Sequence, residues 1–150
     1  MIRVCFVCHG NICRSTMAEF VFKDLVKKEG LDKEFIIESR GVVADVGDDI
    51  HPSTKAMLDK NNIPYTKHYA KQLEKSDLEK FDYFIGMDNS NIKLMKKILG
   101  DTNKIYKLLD FTKDNKEIDD PWFTHNFNIT YDDISKGCRD LLKYIRCKDK

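Results

Sequence analysis

Apolar and polar positions along this chain predict strands and helices in alternation. Residues 3–8 are mostly apolar or β-branched, as expected of a strand that is buried on both faces. Between residues 15 and 29 the apolar positions recur at helical spacing, and Gly30 is well placed to end that helix. The same patterns predict further strands over 35–37, 83–85 and 105–109, and further helices over 51–59, 74–80, 89–99 and 134–145.

This alternation is typical of an α/β domain in which helices cover both faces of a mostly parallel sheet. The 150 residues suit one hydrophobic core, so we expect a single domain over residues 1–150 with a four-stranded sheet. Ligands of such sheets bind beyond the carboxyl ends of the strands. The loop that follows the first strand, at Cys8, is therefore the first place to look for function.

Charge and hydropathy exclude several classes of partner. Lys and Arg number 26 and Asp and Glu number 25, so the net charge of +1 gives no reason to expect nucleic acid or an anionic membrane surface. The longest apolar runs hold about five residues, far fewer than the ~20 needed to span a bilayer. The N-terminal residues also lack the long apolar segment of a signal peptide.

The cysteine content favours free thiols in a reducing compartment. An odd number of cysteines without a signal peptide predicts a cytoplasmic protein. The five positions are Cys5, Cys8, Cys13, Cys138 and Cys147. A closed zinc site needs four ligands, and no second Cys/His pair accompanies Cys8 and Cys13, so we expect no metal.

The loop sequence CHGNICRS lies between the first strand and the first helix. Successive backbone N–H groups in a tight loop can form an anion-binding nest, and the helix N-terminus adds unpaired N–H groups and a favourable dipole. Gly10 and Asn11 tolerate unusual backbone angles, and Arg14 can donate two parallel hydrogen bonds to a tetrahedral oxyanion. We therefore predict a phosphate-binding loop composed of His9, Gly10, Asn11, Ile12, Cys13 and Arg14.

Cys8 lies at the base of this predicted loop. The field that attracts phosphate also stabilises a thiolate, which is nucleophilic at neutral pH, so the sulfur can attack phosphorus. The loop is not a nucleotide-binding Walker loop, because no Gly-Lys-Ser/Thr follows Gly10. Two simpler interpretations stay open: Cys8 as a small buried hydrophobe, and Ser15 as a helix cap, with Thr16 and Glu19 as a capping box.

At this point a family resemblance becomes visible. Residues 7–19, VCHGNICRSTMAE, resemble the signature of the low-molecular-weight protein tyrosine phosphatases. Residues 82–83 and 87–91 resemble the central segment of that family, and residues 120–123, DPWF, resemble its Asp-Pro-aromatic-aromatic motif. The resemblance covers nearly the whole chain.

The resemblance implies an activity and a set of partners. It implies a cytoplasmic acid phosphatase that hydrolyses phosphotyrosine and small aryl phosphates through a phosphocysteine intermediate. Phosphotyrosine-containing proteins or peptides are then the substrates, and inorganic phosphate and vanadate are competitive ligands. It further implies a monomer with no cofactor, no metal, no nucleic-acid partner and no membrane span.

The same resemblance assigns a general acid in the stretch 110–128, which has no clear period and is long for a simple connection. Asp120 matches the family residue that protonates the leaving group and then activates water. Asp119 is the alternative, but Pro121 fixes the backbone next to Asp120 and favours it. Cys8, Arg14 and Asp120 are thus the expected catalytic residues.

Three residues are expected to form the walls of the substrate site. Trp122 and Phe123 resemble the paired aromatics of the family and could accept a phenyl ring, although Phe123 could instead pack into the core. Asp45 aligns with a position where the family usually has a large residue. A carboxylate there leads us to hypothesise tolerance for substrates with basic flanking residues.

Supporting roles are also implied by the resemblance. Ser15 is expected to cap the helix and to donate a hydrogen bond to the Cys8 sulfur, and Asn11 is expected to brace the loop. His68 and Asp88 resemble family residues that support the site, although Asp88 could simply be a helix N-cap.

Cys13 lies five residues from Cys8 within one curled loop, so a disulfide is feasible if the Cα atoms come within ~7 Å. Cys13 could then trap an oxidised Cys8 reversibly, or it could merely fill space. We expect Cys5, Cys138 and Cys147 to be structural.

Two rival functions share the predicted scaffold. An arsenate reductase needs further downstream cysteines to relay a disulfide, and none lies between Cys13 and Cys138. A non-catalytic phosphate-binding module would need no acid, so the presence of Asp120 beside the other motifs disfavours it.

Overall fold

Four parallel strands form the centre of the computed structural model, which describes residues 1–148. The strands are β1 (Ile2–Cys8), β2 (Phe35–Gly41), β3 (Tyr83–Gly86) and β4 (Ile105–Lys107). They lie in the spatial order β2-β1-β3-β4, and all neighbouring pairs are parallel. The predicted four-stranded α/β fold is confirmed, with a sheet that is parallel throughout rather than mostly so.

Helices cover both faces of this sheet, as predicted. They are α1 (Arg14–Lys28), α2 (Pro52–Lys60), α3 (Asn89–Leu99), α4 (Pro121–Thr124) and α5 (Phe127–Lys148). Side chains of β1 alternate between two cores: Phe6 packs with residues of α1 and α5, whereas Val7 packs with residues of α3. Burial on both faces explains why β1 is an almost continuous apolar run.

The topology places the end of β1 at the point where strand order reverses. From β1 the chain first adds β2 on one side of the sheet and later adds β3 on the other side. The carboxyl ends of β1 and β3 therefore diverge into connections on opposite sides, and this is where open α/β sheets bind ligands. The loop that follows Cys8 lies in this crevice.

Several predicted boundaries were wrong. β4 ends at Lys107, and Leu108–Phe111 form a 3-10 turn that buries Leu108 and Leu109 beneath α5. Gly137 makes this packing possible, since a Cβ there would lie 2.5 Å from Leu108 Cγ. The predicted helix over 74–80 is a 3-10 helix, Lys75–Glu79, and α5 begins at Phe127, earlier than its apolar periodicity indicated.

The expected single domain spans residues 1–150, of which 149–150 lie outside the described part of the chain. Across residues 1–148, none of the helices combines the length and the apolar character needed to cross a membrane.

Candidate active site

The loop after β1 is held open by hydrogen bonds to its outward-facing carbonyl groups. The carbonyls of Cys8 and His9 accept from the N–H groups of Val42 and Val43 at 2.9 and 2.8 Å. The Ile12 carbonyl accepts from a backbone N–H of the segment that precedes α2, at 2.9 Å. Each trans peptide points its N–H opposite to its carbonyl, so the N–H groups that follow these carbonyls face the centre of the loop. Inward-facing N–H groups of this kind are the arrangement of an anion-binding nest.

Gly41 at the end of β2 allows the loop to lie against the sheet. A Cβ on Gly41 would lie 2.8 Å from the His9 carbonyl oxygen and 2.9 Å from Asn11 N, so only glycine permits this approach. Gly41 pairs with Cys8 in the β1–β2 register. Gly41 was not predicted as a site residue, because nothing in the sequence around it shows which loop lies against it.

The side chain of Asn11 braces the loop, as expected, and Asn11 is not among the residues that line the cleft. It adopts the left-handed conformation with φ of 59°, whereas Gly10 does not have a positive φ. The buried Asn11 amide donates to Ser15 Oγ and Ser39 Oγ, each at 2.9 Å. Its Oδ1 accepts from Lys71 N at 2.9 Å. The left-handed turn thus joins the loop to three separate segments.

Ser15 contacts the sulfur of Cys8, with Oγ and Sγ 3.0 Å apart, and both side chains are buried. The other expected role of Ser15 was wrong. α1 begins at Arg14, its N-cap is Cys13, and no side chain among residues 1–148 caps it. The expected capping box is also absent, because the Thr16 hydroxyl donates to the Cys13 carbonyl at 2.9 Å instead of accepting a backbone N–H.

His68 supports the loop from the side opposite to the substrate cleft. Its Nε2 lies 2.9 Å from the Asn11 carbonyl and 3.2 Å from Asn11 Oδ1. Because both Asn11 atoms are acceptors, Nε2 carries the proton and donates. Burial lowers the pKa of His68, although the nearby Glu19 carboxylate opposes this shift.

Arg14 is held rigidly at the entrance to α1. Its Nη1 donates to Asp88 Oδ2 at 2.6 Å and to the Ile118 carbonyl at 2.9 Å, and Nη2 lies 3.4 Å from Asp120 Oδ2. Burial disfavours charge on Arg14, but the Cys8 sulfur and the Asp88 carboxylate outweigh it and raise the Arg14 pKa. The cation stays charged and is fixed in the cleft that Cys8 also lines.

Asp88 fills both of the roles that were predicted as alternatives, the helix N-cap and the support of the site. Its Oδ1 accepts from Asn91 N at 2.7 Å, which caps α3, while its other oxygen binds Arg14. Asp88 thus uses the helix N-terminus to orient the carboxylate that holds the arginine.

Asp120 reaches the cleft and its neighbour Asp119 does not. Asp120 lies among the residues that line the cleft, whereas Asp119 is exposed outside it. Asp120 Oδ1 accepts from Trp122 N at 3.0 Å and caps α4, whose first residue is Pro121. This one-turn helix was not predicted, because four residues are too few to show helical periodicity.

The cleft has a volume of about 360 Å³ and contains most of the predicted site residues. Its lining consists of Cys8, His9, Gly10, Ile12, Cys13, Arg14, Val43, Asp45, Asp48, Asp120, Trp122 and Phe123. Trp122 and Phe123 are 57% and 78% exposed, so Phe123 does not pack into the core. Val43 and Asp48 were not predicted, although both lie in the same 42–49 segment as Asp45.

The remaining cysteines differ in their surroundings. Cys13 is buried next to Cys8, and burial together with the Cys8 charge raises the Cys13 pKa to about 12. Cys5 and Cys138 are buried in the two cores, as expected of structural residues. Cys147 is exposed, so the expectation that it is structural was wrong. Neither Cys138 nor Cys147 lines the cleft, as a disulfide relay would require.

Comparison with known proteins assigns the chain to a family. Residues 3–150 match the family described as low molecular weight phosphotyrosine protein phosphatase. The low molecular weight protein-tyrosine-phosphatase YfkJ of Bacillus subtilis is 38% identical over 151 residues, which cover 97% of each chain. The corresponding enzyme PtpA of Staphylococcus aureus is 35% identical over 148 residues, covering 97% of this chain and 94% of PtpA.

Solved structures agree with these matches. The crystal structure of YfkJ superposes with a TM-score of 0.96 at 37% identity and covers 100% of this chain and 98% of that one. The crystal structure of DARP, a Drosophila arginine phosphatase, superposes with a TM-score of 0.84 at 30% identity, covering 95% and 96% of the two chains. The chain belongs to the low molecular weight phosphotyrosine protein phosphatase family.

Proposed function

We propose that this protein hydrolyses phosphotyrosine and small aryl phosphate monoesters through a phosphocysteine intermediate. The observation that carries the proposal is the position of Arg14, which Asp88 fixes in the cleft that the buried Cys8 also lines. A fixed guanidinium and a ring of inward N–H groups suit a phosphoryl group that becomes more negative as it is transferred.

The first step transfers the phosphoryl group from oxygen to sulfur. The Cys8 thiolate attacks phosphorus, a P–S bond forms, and the bond between phosphorus and the phenolic oxygen breaks. Asp120 gives its proton to the leaving phenolate, which departs as a phenol. Arg14 and the loop N–H groups bind the equatorial oxygens throughout.

The second step regenerates the enzyme. Asp120, now a carboxylate, takes a proton from a water molecule that attacks phosphorus. The P–S bond breaks, inorganic phosphate forms, and Cys8 leaves as a thiolate. Ser15, 3.0 Å from the sulfur, can donate a hydrogen bond to it and ease this departure.

The choice of a phenyl group follows from the walls of the cleft. Trp122 and Phe123 present exposed aromatic surface on one side, and Ile12 and Val43 add apolar surface nearby. A flat ring can pack between such groups, and tyrosine is long enough to reach the base, whereas serine is shorter.

A rapid-quench experiment tests this function. Wild-type protein mixed with excess 4-nitrophenyl phosphate should release one equivalent of 4-nitrophenol in a burst, and acid-quenched samples should carry one phosphate on the peptide that contains Cys8. The Cys8→Ser variant should bind inorganic phosphate without turnover. Cys147→Ser, an exposed cysteine outside the cleft, is the matched control and should keep the burst. Steady turnover without a phosphorylated Cys8 peptide would overturn the proposal.

Phosphoarginine is a second candidate substrate. Asp45 and Asp48 line the cleft, are exposed, and form no ion pair with any residue among 1–148. Two free carboxylates at the entrance could pair with a guanidinium, and DARP is described as an arginine phosphatase. Rates on phosphotyrosine and phosphoarginine peptides of one sequence decide between the two substrates.

We further propose that the protein acts in the cytoplasm as a monomer, without metal or cofactor. The residues proposed for both chemical steps come from one chain, and Arg14 supplies the positive charge that a metal would otherwise provide. Activity should survive a chelator and should elute with the monomer in gel filtration, and phosphate and vanadate should inhibit competitively. The Cys8 thiolate needs a reducing compartment to stay active.

A further inference from the structure

His51 connects the phosphate-binding loop to the segment that carries Asp120. Its backbone N–H donates to the Ile12 carbonyl at 2.9 Å, and its Nδ1 accepts from Ser53 N at 3.1 Å, which caps α2. The imidazole ring stacks on Phe127, with centroids 5.4 Å apart and an interplanar angle of 23°. On its other side the ring meets Trp122 edge to face, at 5.7 Å and 82°.

The backbone of Trp122 is directly coupled to the carboxylate of Asp120. The backbone N–H of Trp122 donates to Asp120 Oδ1 at 3.0 Å, so a shift of the Trp122 backbone moves the carboxylate with it. The residues that follow Trp122 are lightly held, since Phe123, Thr124 and His125 are all exposed. The contact with His51 is the ring contact that fixes this side of the segment.

We propose that His51 is a positioning residue that, through Trp122, holds Asp120 at the leaving-group oxygen. The inference rests on the proposed function, because it assumes that Asp120 is the general acid. The stacked ring of His51 is the part that acts, while Nδ1 serves α2. A general acid must lie within hydrogen-bond reach of its target, so a displacement of Asp120 slows protonation more than it slows phosphate binding.

Two substitutions separate the ring from the cap. His51→Asn keeps an acceptor for Ser53 N and removes the ring, whereas His51→Phe keeps a ring and removes the acceptor. The matched control is His125→Asn, the same substitution at an exposed histidine of the same segment, whose φ of 57° asparagine accepts. Each variant is assayed with 4-nitrophenyl phosphate, which has a good leaving group, and with phenyl phosphate, which has a poor one.

The expected result is a selective loss with the poor leaving group. In His51→Asn we expect kcat for phenyl phosphate to fall about tenfold and kcat for 4-nitrophenyl phosphate to change less than about twofold, since the better leaving group needs less protonation. His51→Phe should keep most of the wild-type ratio of the two rates, and His125→Asn should keep all of it. Equal ratios in wild type and His51→Asn, or equal losses in His51→Asn and His51→Phe, would overturn the proposal.

Asp120→Asn distinguishes failure of this proposal from failure of the proposed function. If Asp120→Asn leaves the ratio of the two rates unchanged, Asp120 is not the acid and both assignments fall. If that variant changes the ratio strongly and His51→Asn does not, only the positioning role of His51 fails.

Trp122 is the only tryptophan in the chain, so its fluorescence gives an independent readout. Time-resolved anisotropy should show faster indole motion in His51→Asn than in wild type or His51→Phe. Unchanged indole motion in His51→Asn contradicts the proposal. If His51→Asn does not fold, Trp122→Ala removes the same contact from its exposed side and should give the same leaving-group effect. A wild-type ratio in Trp122→Ala would then overturn the proposal.

Discussion

Arg14 Nη1 lies 2.6 Å from Asp88 Oδ2, and the Arg14 side chain is only 2% exposed. Burying an unpaired cation costs desolvation free energy, so the ion pair with Asp88 keeps Arg14 charged and fixes the orientation of its guanidinium. Asp88 is itself fixed by its hydrogen bond to Asn91 N at the start of α3. The segment between β3 and α3 therefore supports a guanidinium that belongs to the first residue of α1.

We expect Asp88→Asn to weaken phosphate binding. Asparagine keeps the cap on α3 but removes the charge opposite Arg14, and a hydrogen bond to a charged group contributes about 1.5–3 kcal/mol. The inhibition constant of inorganic phosphate should rise about tenfold, measured against 4-nitrophenyl phosphate. Asp82→Asn is the control, since it breaks the Arg3–Asp82 pair outside the cleft. Equal phosphate affinities in both variants would contradict this role.

Ser15→Ala should slow turnover without disturbing the helix. Ser15 does not cap α1, so the substitution removes two contacts: the one with the Cys8 sulfur and the hydrogen bond that the Asn11 amide donates to Oγ. We expect kcat to fall about tenfold, which corresponds to about 1.4 kcal/mol. Ser135→Ala is the matched control, because Ser135 Oγ is buried and has no hydrogen-bond partner among the described residues. A wild-type kcat in Ser15→Ala would exclude a role for the hydroxyl in catalysis.

Cys13 should make oxidation of Cys8 reversible. Hydrogen peroxide converts the Cys8 thiolate to a sulfenic acid, which condenses with the Cys13 thiol to give a disulfide and water. Burial and the neighbouring Cys8 raise the Cys13 pKa to about 12, so Cys13 stays a thiol beside the residue that is oxidised. We expect dithiothreitol to restore most activity in wild type and in Cys147→Ser, but several-fold less in Cys13→Ser. Equal recovery in all three would reject the trapping role.

The carboxylates at the entrance should favour basic substrates. Asp45 and Asp48 line the cleft beside the exposed aromatic wall, so they face residues that flank the phosphotyrosine. In Asp45→Asn/Asp48→Asn, the ratio of kcat/KM for a peptide with Arg flanks to that for one with Glu flanks should fall about fivefold, in line with two exposed pairs of up to about 1 kcal/mol each. Added salt should lower the wild-type ratio.

Asp101→Asn is the control for this pair, since Asp101 is exposed and does not line the cleft. A ratio that is the same in wild type, the double variant and the control would show that the entrance carboxylates do not select substrates.

His68 should make folding stability depend on pH. Its pKa is lowered in the folded protein, mainly by burial, from its ordinary value of 6.5. As pH falls below about 6.5 the unfolded chain binds a proton that the folded protein does not, so the free energy of unfolding decreases until the lower folded pKa is passed. His68→Gln keeps a donor for Asn11 but cannot titrate. Urea unfolding at pH 7.5 and pH 5 should show a larger decrease in wild type than in His68→Gln, with exposed His125→Gln as the control. Parallel decreases in wild type and His68→Gln would contradict the prediction.

The sequence predicted those parts of the site that are contiguous in the chain. Cys8, Ile12 and Arg14 belong to one strand-loop-helix unit, so residue types and spacing alone indicate a nucleophile in an anion-binding loop. Asp120 could be predicted as the general acid because proline follows it and because residues 120–123 resemble the Asp-Pro-aromatic-aromatic motif of the phosphatase family. These signals need no knowledge of which distant segments meet.

Residues that meet the loop from elsewhere could not be predicted in the same way. Gly41, Asp48 and His51 act through contacts that depend on strand register and on the path between β2 and α2. The prediction that Ser15 caps α1 was wrong for a related reason. The loop after β1 leads directly into α1, so the helix begins at Arg14 and Ser15 is already inside it. Local preference for a serine cap is therefore overridden by the geometry of the loop.

The close contact between Gly41 and the loop after β1 has a consequence for inhibitors. Because β2 and its neighbours already satisfy the loop carbonyls, the backbone has lost its conformational entropy during folding rather than during binding. A phosphate mimic meets a preorganised receptor and has no loop to order. Differences in affinity among such mimics should thus reflect how well the loop N–H groups replace the hydration shell of each mimic. Selectivity must then be sought at the entrance of the cleft instead of its base.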